Sequence, residues 1–330
     1  MSARTRTGAV AVGGLILLAA ASVASVLFGA ESLPIGEVLA NLGRVRDDAV
    51  AGIVTSRVDR TLIGVVVGAC VAVAGTVLQG LTRNPIAEPG ILGLNAGAAL
   101  LVVIGIRAGL LDSVIDYVWT ALVGVILAGA LVHAISMTVP LRHQPMTTAL
   151  GGAAIMAASS SIMVGLLVTD DTALDLFRYW QVGSVAGKDS SLILPILPFV
   201  IVGLLLTLTS GRTLNAMSLG DDVARALGQR VVLARGGALL GALLLTAAAC
   251  ALAGPIAFVG LAVPHLLRLV GGPEHSRLLL GSVLLGPALV VTADTLGRVI
   301  APPGEIQVGV MTAVIGAPVL ILLARRAVRR

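Results

Sequence analysis

The residues of this chain that could do chemistry are few, and most of them fail on spacing. Gly183 to Asp189 reads GSVAGKD, which looks like a phosphate-cradling loop. Such a loop needs four residues between its glycines, and a Ser or Thr after the lysine to hold magnesium. Here three residues separate the glycines and Asp189 follows Lys188. His133, His143, His265 and His275 show no metal-ligand spacing such as HExxH, and no GxSxG nucleophile motif is present. Cys70 and Cys250 lie inside apolar runs and read as small core residues, with nothing to indicate a disulfide or a metal. The sequence therefore offers no catalytic residue, no metal site, no cofactor site and no ATPase site of its own. What remains is arginine. Arg57 and Arg60 stand one helical turn apart, so they share a face, and a guanidinium fork suits a carboxylate. Interfacial snorkelling is the bland reading of the same pair. Arg298 follows Asp294 by four residues, the spacing of an ion pair on one helix face.

The elements that must position these residues are set by composition. The chain is 57% hydrophobic and 12% charged, with a mean hydropathy of +1.03. Soluble domains carry about 25% charged residues, so the solvent here is a bilayer. A span needs roughly 20 apolar residues, which allows about ten spans with short loops. Apolar runs place them near 8–29, 60–80, 91–109, 115–140, 147–168, 191–209, 233–252, 256–270, 278–297 and 307–324. The expected fold is an all-α integral membrane protein, one transmembrane domain over 1–330, with some spans broken by its 40 Gly and 14 Pro. Gly64, Gly68 and Ala72, and also Gly237 and Gly241, have the four-residue spacing of close helix packing. The first run is longer than a signal-peptide core and is read as a retained span. No basic run with interleaved aromatics exists, which excludes nucleic acid as a partner.

Charge sets the orientation. With the N-terminus in the cytoplasm and spans alternating, 14 of the 22 basic residues fall inside, as the positive-inside rule requires. Both termini are then cytoplasmic, and 30–59 and 169–190 are outer loops. Gln79 to Gly97 reads QGLTRNPIAEPGILGLNAG, a polar, Pro- and Gly-rich insert between spans. Unpaired backbone in lipid costs several kcal/mol, so this insert must lie at a membrane surface or be buried against protein. Its Arg83–Glu88 part falls on the cytoplasmic side, and its prolines and glycines read as shaping a tight re-entry of the third span.

A many-span chain without catalytic residues is most simply a transporter. The near absence of acids and histidines from the span interiors argues against ion coupling and for a partner that supplies energy. The loop 210–232 is the candidate contact. Ser218 to Gln229 places Leu219, Val223, Ala226 and Leu227 along one helical face, with Asp221, Asp222 and Arg225 exposed. The two acids suit a helix start and Gly228 its end. A gradient-driven secondary transporter of a small metabolite is the competing class. An intramembrane enzyme is disfavoured by the missing nucleophile and metal ligands.

Several motifs in order resemble one family. They are RVDRTLIG from Arg57, QGLTRNPIAEPGILGLNAGAAL from Gln79, FRYWQVGSVAG from Phe177, SLGDDVARALG from Ser218, GPIAFVGLAVPHLLRLVGG from Gly254 and VGVMTAVIGAPVLILLARR from Val308. Together they are similar to the permease subunit of iron–siderophore, haem and cobalamin ABC importers, over nearly the whole chain. The RYWQVGS and ADTLGRVIAPPGEI wording is most similar to the ferric-enterobactin type. The resemblance implies a bacterial cell-membrane protein that works with a second permease, cytoplasmic ATPase subunits and an extracytoplasmic substrate-binding protein. It implies that Arg57, Arg60 and Arg298 face acids of that binding protein. It makes the loop bearing Leu219, Gly220, Asp221, Asp222, Ala224, Arg225, Leu227 and Gly228 the ATPase coupling element. Asp59 departs from the proline common in the family, and an acid there would weaken docking or tune partner choice.

Overall fold

A computed structural model describes residues 3–43, 48–140 and 143–328. Arg142, Arg329 and Arg330 on the expected inner side, and Arg44 and Arg46 on the outer, lie outside the described residues. The described chain is helical: α1 (Ala3–Leu27), α2 (Ile35–Asn41), α3 (Ala49–Thr82), α4 (Leu94–Arg107), α5 (Val114–Met137), α6 (Gln144–Leu167), α7 (Asp171–Gln181), α8 (Ile193–Thr209), α9 (Gly211–Ser218), α10 (Asp221–Ala226), α11 (Val231–Ala253), α12 (Val259–Gly271), α13 (His275–Ile300) and α14 (Val308–Val328). In lipid each backbone group must bond within its own segment, which is why apolar runs become helices.

Among the described residues, seven helices are long and apolar enough to cross a membrane, and α4, α12 and the first half of α14 are shorter apolar helices. The ten expected runs are all helical, but not all are full spans. α4 has 14 residues and α12 has 13, so each rises only about 20 Å against a hydrocarbon core of about 30 Å. Prolines within the apolar runs do not break them, although Pro85, Pro89 and Pro255 lie in the two breaks themselves. Pro198, Pro264, Pro287 and Pro318 all sit inside continuous helices. The breaks fall at the polar insert before α4 and at Gly254–Phe258 before α12, where Gly93, Gly254 and Phe258 take positive φ.

The expected outer loops carry helices too. Residues 30–59 hold α2 and the first turns of α3. The α3 start is capped by Asp48, which accepts from the Ala51 N–H at 2.7 Å. Residues 169–190 hold amphipathic α7, capped by Asp170 accepting from the Ala173 N–H at 2.9 Å. Arg107 at the end of α4 donates to the same carboxylate at 2.6 Å. The helix-start N–H and this guanidinium hold the Asp170 carboxyl below its usual range.

α3 is the buried axis, packed by α1, α8, α11, α12 and α13. Its seam with α13 is closed by small residues. A Cβ on Gly68 would lie 2.6 Å from the Gly286 carbonyl, and one on Gly64 would lie 3.2 Å from Val291. Thr76 and Ser282 exchange a hydroxyl hydrogen bond of 2.8 Å across the same seam. Gly241 packs likewise on α8, whereas Gly237 faces open space and takes no part in packing. The spacing of Gly237 and Gly241 implies a shared face, but close approach needs a neighbour at both positions.

The element directions follow from contacts. Arg57 near the start of α3 reaches the end of α1, and Arg277 near the start of α13 donates to Thr7 of α1 at 3.0 Å. The N–H of His275 donates to Asn215 of α9 at 2.7 Å. α1 therefore begins, and α13 begins, at the end of the bundle that carries α9 and α10. The start of α14 lies at the opposite end, where the Gly309 N–H bonds to the Gly183 carbonyl, and α14 runs back from there.

Gly68→Val is expected to destabilise the bundle by roughly 1–3 kcal/mol, the usual range for overpacking. Gly237→Ala is expected to be neutral or slightly stabilising, since nothing lies within 4 Å of its added methyl. Thermal unfolding of the two variants in detergent checks both; equal melting points would refute the seam.

Candidate functional site

The two candidate regions lie at opposite ends of α3. At its first turns, Arg57 and Arg60 diverge. Arg57 Nη1 donates to the carbonyls of Val26 at 3.2 Å and Leu27 at 2.9 Å, and Nη2 to that of Glu31 at 2.5 Å. Gly29 lets this chain turn pass over the guanidinium, since a Cβ there would lie 2.9 Å from Nε. Arg60 turns to α13. Nη2 and Nε clasp Asp294 at 2.7 and 3.3 Å, and Nη1 donates to Glu305 at 2.7 Å. Arg298 completes the cluster. Its Nε is 3.1 Å from Asp294, and its other nitrogens donate to the Ser25 hydroxyl at 2.8 Å and the Ser25 carbonyl at 3.2 Å.

Arg57 and Arg60 do line one cleft, but their guanidinium groups take different partners: one secures the end of α1 and the other bridges to α13. Arg57, Arg60 and Arg298 are 4%, 9% and 3% exposed. A charge so buried needs a full set of partners, and these come from within the chain. Asp59 is buried as well, so its charge is not displayed at the surface. Above the cluster opens a cleft of about 390 Å³ lined by the three arginines, Glu305, Glu31, Ser56 and Gly52. The i,i+4 pairing of Asp294 with Arg298 was legible from spacing. The bond from Arg60, 234 residues distant, and the role of Glu305 carry no local signal.

At the other end of α3, Arg83 adopts φ 51° and ends the helix. Its Nη2 donates to the Met217 carbonyl at 2.7 Å and to Asp221 at 2.5 Å. Arg235 of α11 approaches the same carboxylate at 3.4 Å. Asp221 was expected to be exposed; instead it is held between two arginines, and its side chain keeps 14% exposure. Its neighbour Asp222 is 98% exposed and pairs with Arg225 at 2.8 Å. Two adjacent acids look alike in sequence, and only the helix phase separates them. Ala224 is fully buried under α10, while Leu219, Val223 and Leu227 are 67%, 44% and 61% exposed. Gly220 at φ 116° separates α9 from α10, and Gly228 at φ 79° ends the element in open space. The result is one helical turn, fastened by Asp221 and presenting three apolar side chains outward.

The polar insert joins this end. It is buried against protein as well as turned at the surface. Glu88 is 9% exposed and accepts the Phe258 N–H at 3.1 Å, at the start of α12. Burial raises the Glu88 pKa, and the bond from Phe258 opposes that rise. Gly93 starts α4 with no room for a side chain, because a Cβ would meet the Gly152 carbonyl at 2.5 Å. Among the described residues, no three of His, Cys, Asp and Glu gather where a metal could sit.

A multi-span helical bundle with a fastened apolar elbow at one end and an arginine cleft at the other defines a membrane permease. Residues 16–326 match the model of the FecCD transport family. The chain belongs to that family and is a multi-pass protein of the bacterial inner membrane. It is 39% identical over 326 residues to the ferric enterobactin transport system permease protein FepD of Escherichia coli (strain K12), covering 98% of this chain and 97% of that one. It is 40% identical over 271 residues to the Fe(3+) dicitrate transport system permease protein FecD of the same organism, covering 82% and 84%. It is 38% identical over 277 residues to the hemin transport system permease protein HmuU of Yersinia pestis, covering 82% of each. A solved structure of an inward-facing metal-chelate type ABC transporter superposes with TM-score 0.82 at 27% identity, covering 96% of this chain and 98% of that one.

Arg60→Met leaves Asp294 buried with half its partners, and is expected to lower stability by about 3–5 kcal/mol. The double variant Arg60→Met with Asp294→Leu is expected to recover most of that loss. Detergent melting curves of both check it; a single variant as stable as the parent would refute the bridge.

Proposed function

We propose that this chain is the membrane-spanning permease of an ATP-binding-cassette importer that carries a ferric siderophore into the cytoplasm. One observation carries the reading. Leu219, Val223 and Leu227 stand exposed on a short helix that is itself anchored to α3 and α11 through Asp221. Exposed apolar side chains on a fixed helix are what a partner's groove takes up. The anchored end is the cytoplasmic one, both termini lie on that side, and loop 210–232 is where ATPase subunits engage. The chain has no catalytic site of its own, and ATP is hydrolysed by the partner. Alternating access then follows from motion delivered to α10 and passed through Asp221 to Arg83 and Arg235.

The iron-chelate cargo rests on relatives. Three of them, within 38–40% identity, are named for enterobactin, dicitrate and hemin. Overall identity thus favours a cargo class over a single compound, and the enterobactin-like motifs favour a siderophore. A gradient-driven transporter is disfavoured because Asp294, the acid nearest a span interior, is taken up by Arg60 and Arg298. A second copy or a second, different permease completes the channel. An extracytoplasmic binding protein docks over the arginine cleft, where the acids it offers compete with Glu305 and the α1 carbonyls.

Removing the ATPase is expected to abolish uptake of the iron chelate, and Gly228→Leu to leave ATP hydrolysis running with transport reduced. Uptake that survives without the ATPase would sink the importer reading. For docking, Ser56→Cys carrying a bulky maleimide is expected to block binding-protein-dependent uptake; both native cysteines are buried, so labelling is selective. Undiminished uptake after labelling would remove the cleft from that role.

A further inference from the structure

This chain holds one lysine, two tyrosines and two tryptophans. The lysine, both tyrosines and one tryptophan line a single cavity of about 400 Å³ at the arginine end. That volume lies in the range of roughly 300–1,000 Å³ typical of small-molecule sites. α5 contributes Tyr117, α7 contributes Tyr179 and Trp180, the following segment Lys188, and the stretch before α14 Glu305 and Gln307.

Trp180 and Lys188 are held in place, and Gln307 keeps an unpaired acceptor. Phe177 stacks on Trp180, with centroids 6.2 Å apart at 26°, and fixes the indole. Lys188 Nζ donates to the Leu252 carbonyl at 2.6 Å, which orients the ammonium and leaves two protons uncommitted. Desolvation brings its pKa down to about 8, so it remains mostly protonated at neutral pH. Gln307 Oε1 is buried without a hydrogen-bond partner. Glu305 sits at the rim, where Arg60 compensates its charge at 2.7 Å. Glu305 also lines the arginine cleft, so the two hollows adjoin.

An interfacial aromatic belt with a snorkelling lysine is the ordinary account of such residues. A belt would spread them around the bundle, whereas four of the five converge here. Ring faces select an aromatic ligand, and a lone uncompensated cation selects an anion. We propose that this cavity binds the phenolate or catecholate rings of an anionic iron chelate, next to the cleft where a binding protein would deliver it. The proposal rests on the importer reading for the source of the ligand, but the binding itself can be read on the permease alone.

The test uses the full chain in nanodiscs with Trp119→Phe, so that Trp180 is the single tryptophan reporter. Triply anionic iron(III) tris(catecholate) is titrated against the neutral iron(III) tris(acetohydroxamate). Saturable quenching by the anionic probe is expected, weakened about tenfold by Lys188→Met and held within about threefold by Lys188→Arg, as for one charge-assisted hydrogen bond. Quenching that does not saturate, or that is equal in Lys188→Met and the parent, overturns the site. ATP-dependent uptake by the assembled transporter alongside unsaturable quenching overturns the site and leaves the importer reading standing. Saturable, Lys188-dependent quenching without ATP-dependent uptake upholds the site and overturns that reading.

Discussion

The contact of α3 with α13 is the constraint on which the rest depends. At Gly68 the two backbones meet with no space for a side chain, and at one end Arg60 clasps Asp294. Close backbone approach is how helices associate in lipid, where burial of apolar groups supplies little net attraction. Once this seam is set, the end of α1 falls within reach of Arg57 and Arg298, and the stretch after α13 brings Glu305 to Arg60. The arginine cleft inherits its shape from it, and Glu305 carries the edge of that cleft into the lysine cavity.

Charge is used differently at the two ends of α3. Around Arg60 and Arg298 the guanidinium groups and Asp294 are buried and paired within the chain, with Arg298 Nε facing Asp294 as a charge contact and not as a hydrogen bond. Around Asp221 the carboxylate is shared between Arg83 and Arg235, while its neighbour Asp222 remains in solvent. The first arrangement resists separation because each charge would be stranded. The second is partly wetted and salt-accessible, and it releases more easily. The two ends of α3 are thus held with unequal firmness.

Much of this was legible in the chain itself. Apolar runs located every long helix, the four-residue spacing of Gly64, Gly68 and Ala72 located the seam, and polar composition located the break before α4, whereas the break at Gly254–Phe258 is apolar and gave no such signal. The run 256–270 was already the shortest of the ten, as α12 is short, but the half-length of α4 was not legible, because apolar composition cannot distinguish a span from a shorter helix packed on protein. The partners of Arg57 and Arg60 were hidden for another reason. A guanidinium reaching a carbonyl on α1 or an acid on α13 depends on tertiary placement, which no local pattern encodes. Lys188 drew notice only as part of a failed phosphate loop, and its aromatic surroundings come from two separate elements, α5 and α7.

One dimension of the molecule has a mechanical meaning. α3 is a single unbroken helix of 34 residues, about 51 Å at 1.5 Å per residue. Its last turn leads into Arg83 and the elbow helix, and its first turns carry Arg57 and Arg60 beside the cleft. A stiff rod of that length, tilted about its midpoint by roughly 5°, displaces its two tips by about 2 Å in opposite senses. Tilts of this order are small for a helix in a bilayer. The two ends of the permease are therefore joined by one continuous helix, and any tilt of it must carry α13 along, because the Gly68 seam and the Arg60–Asp294 bridge hold the two helices together.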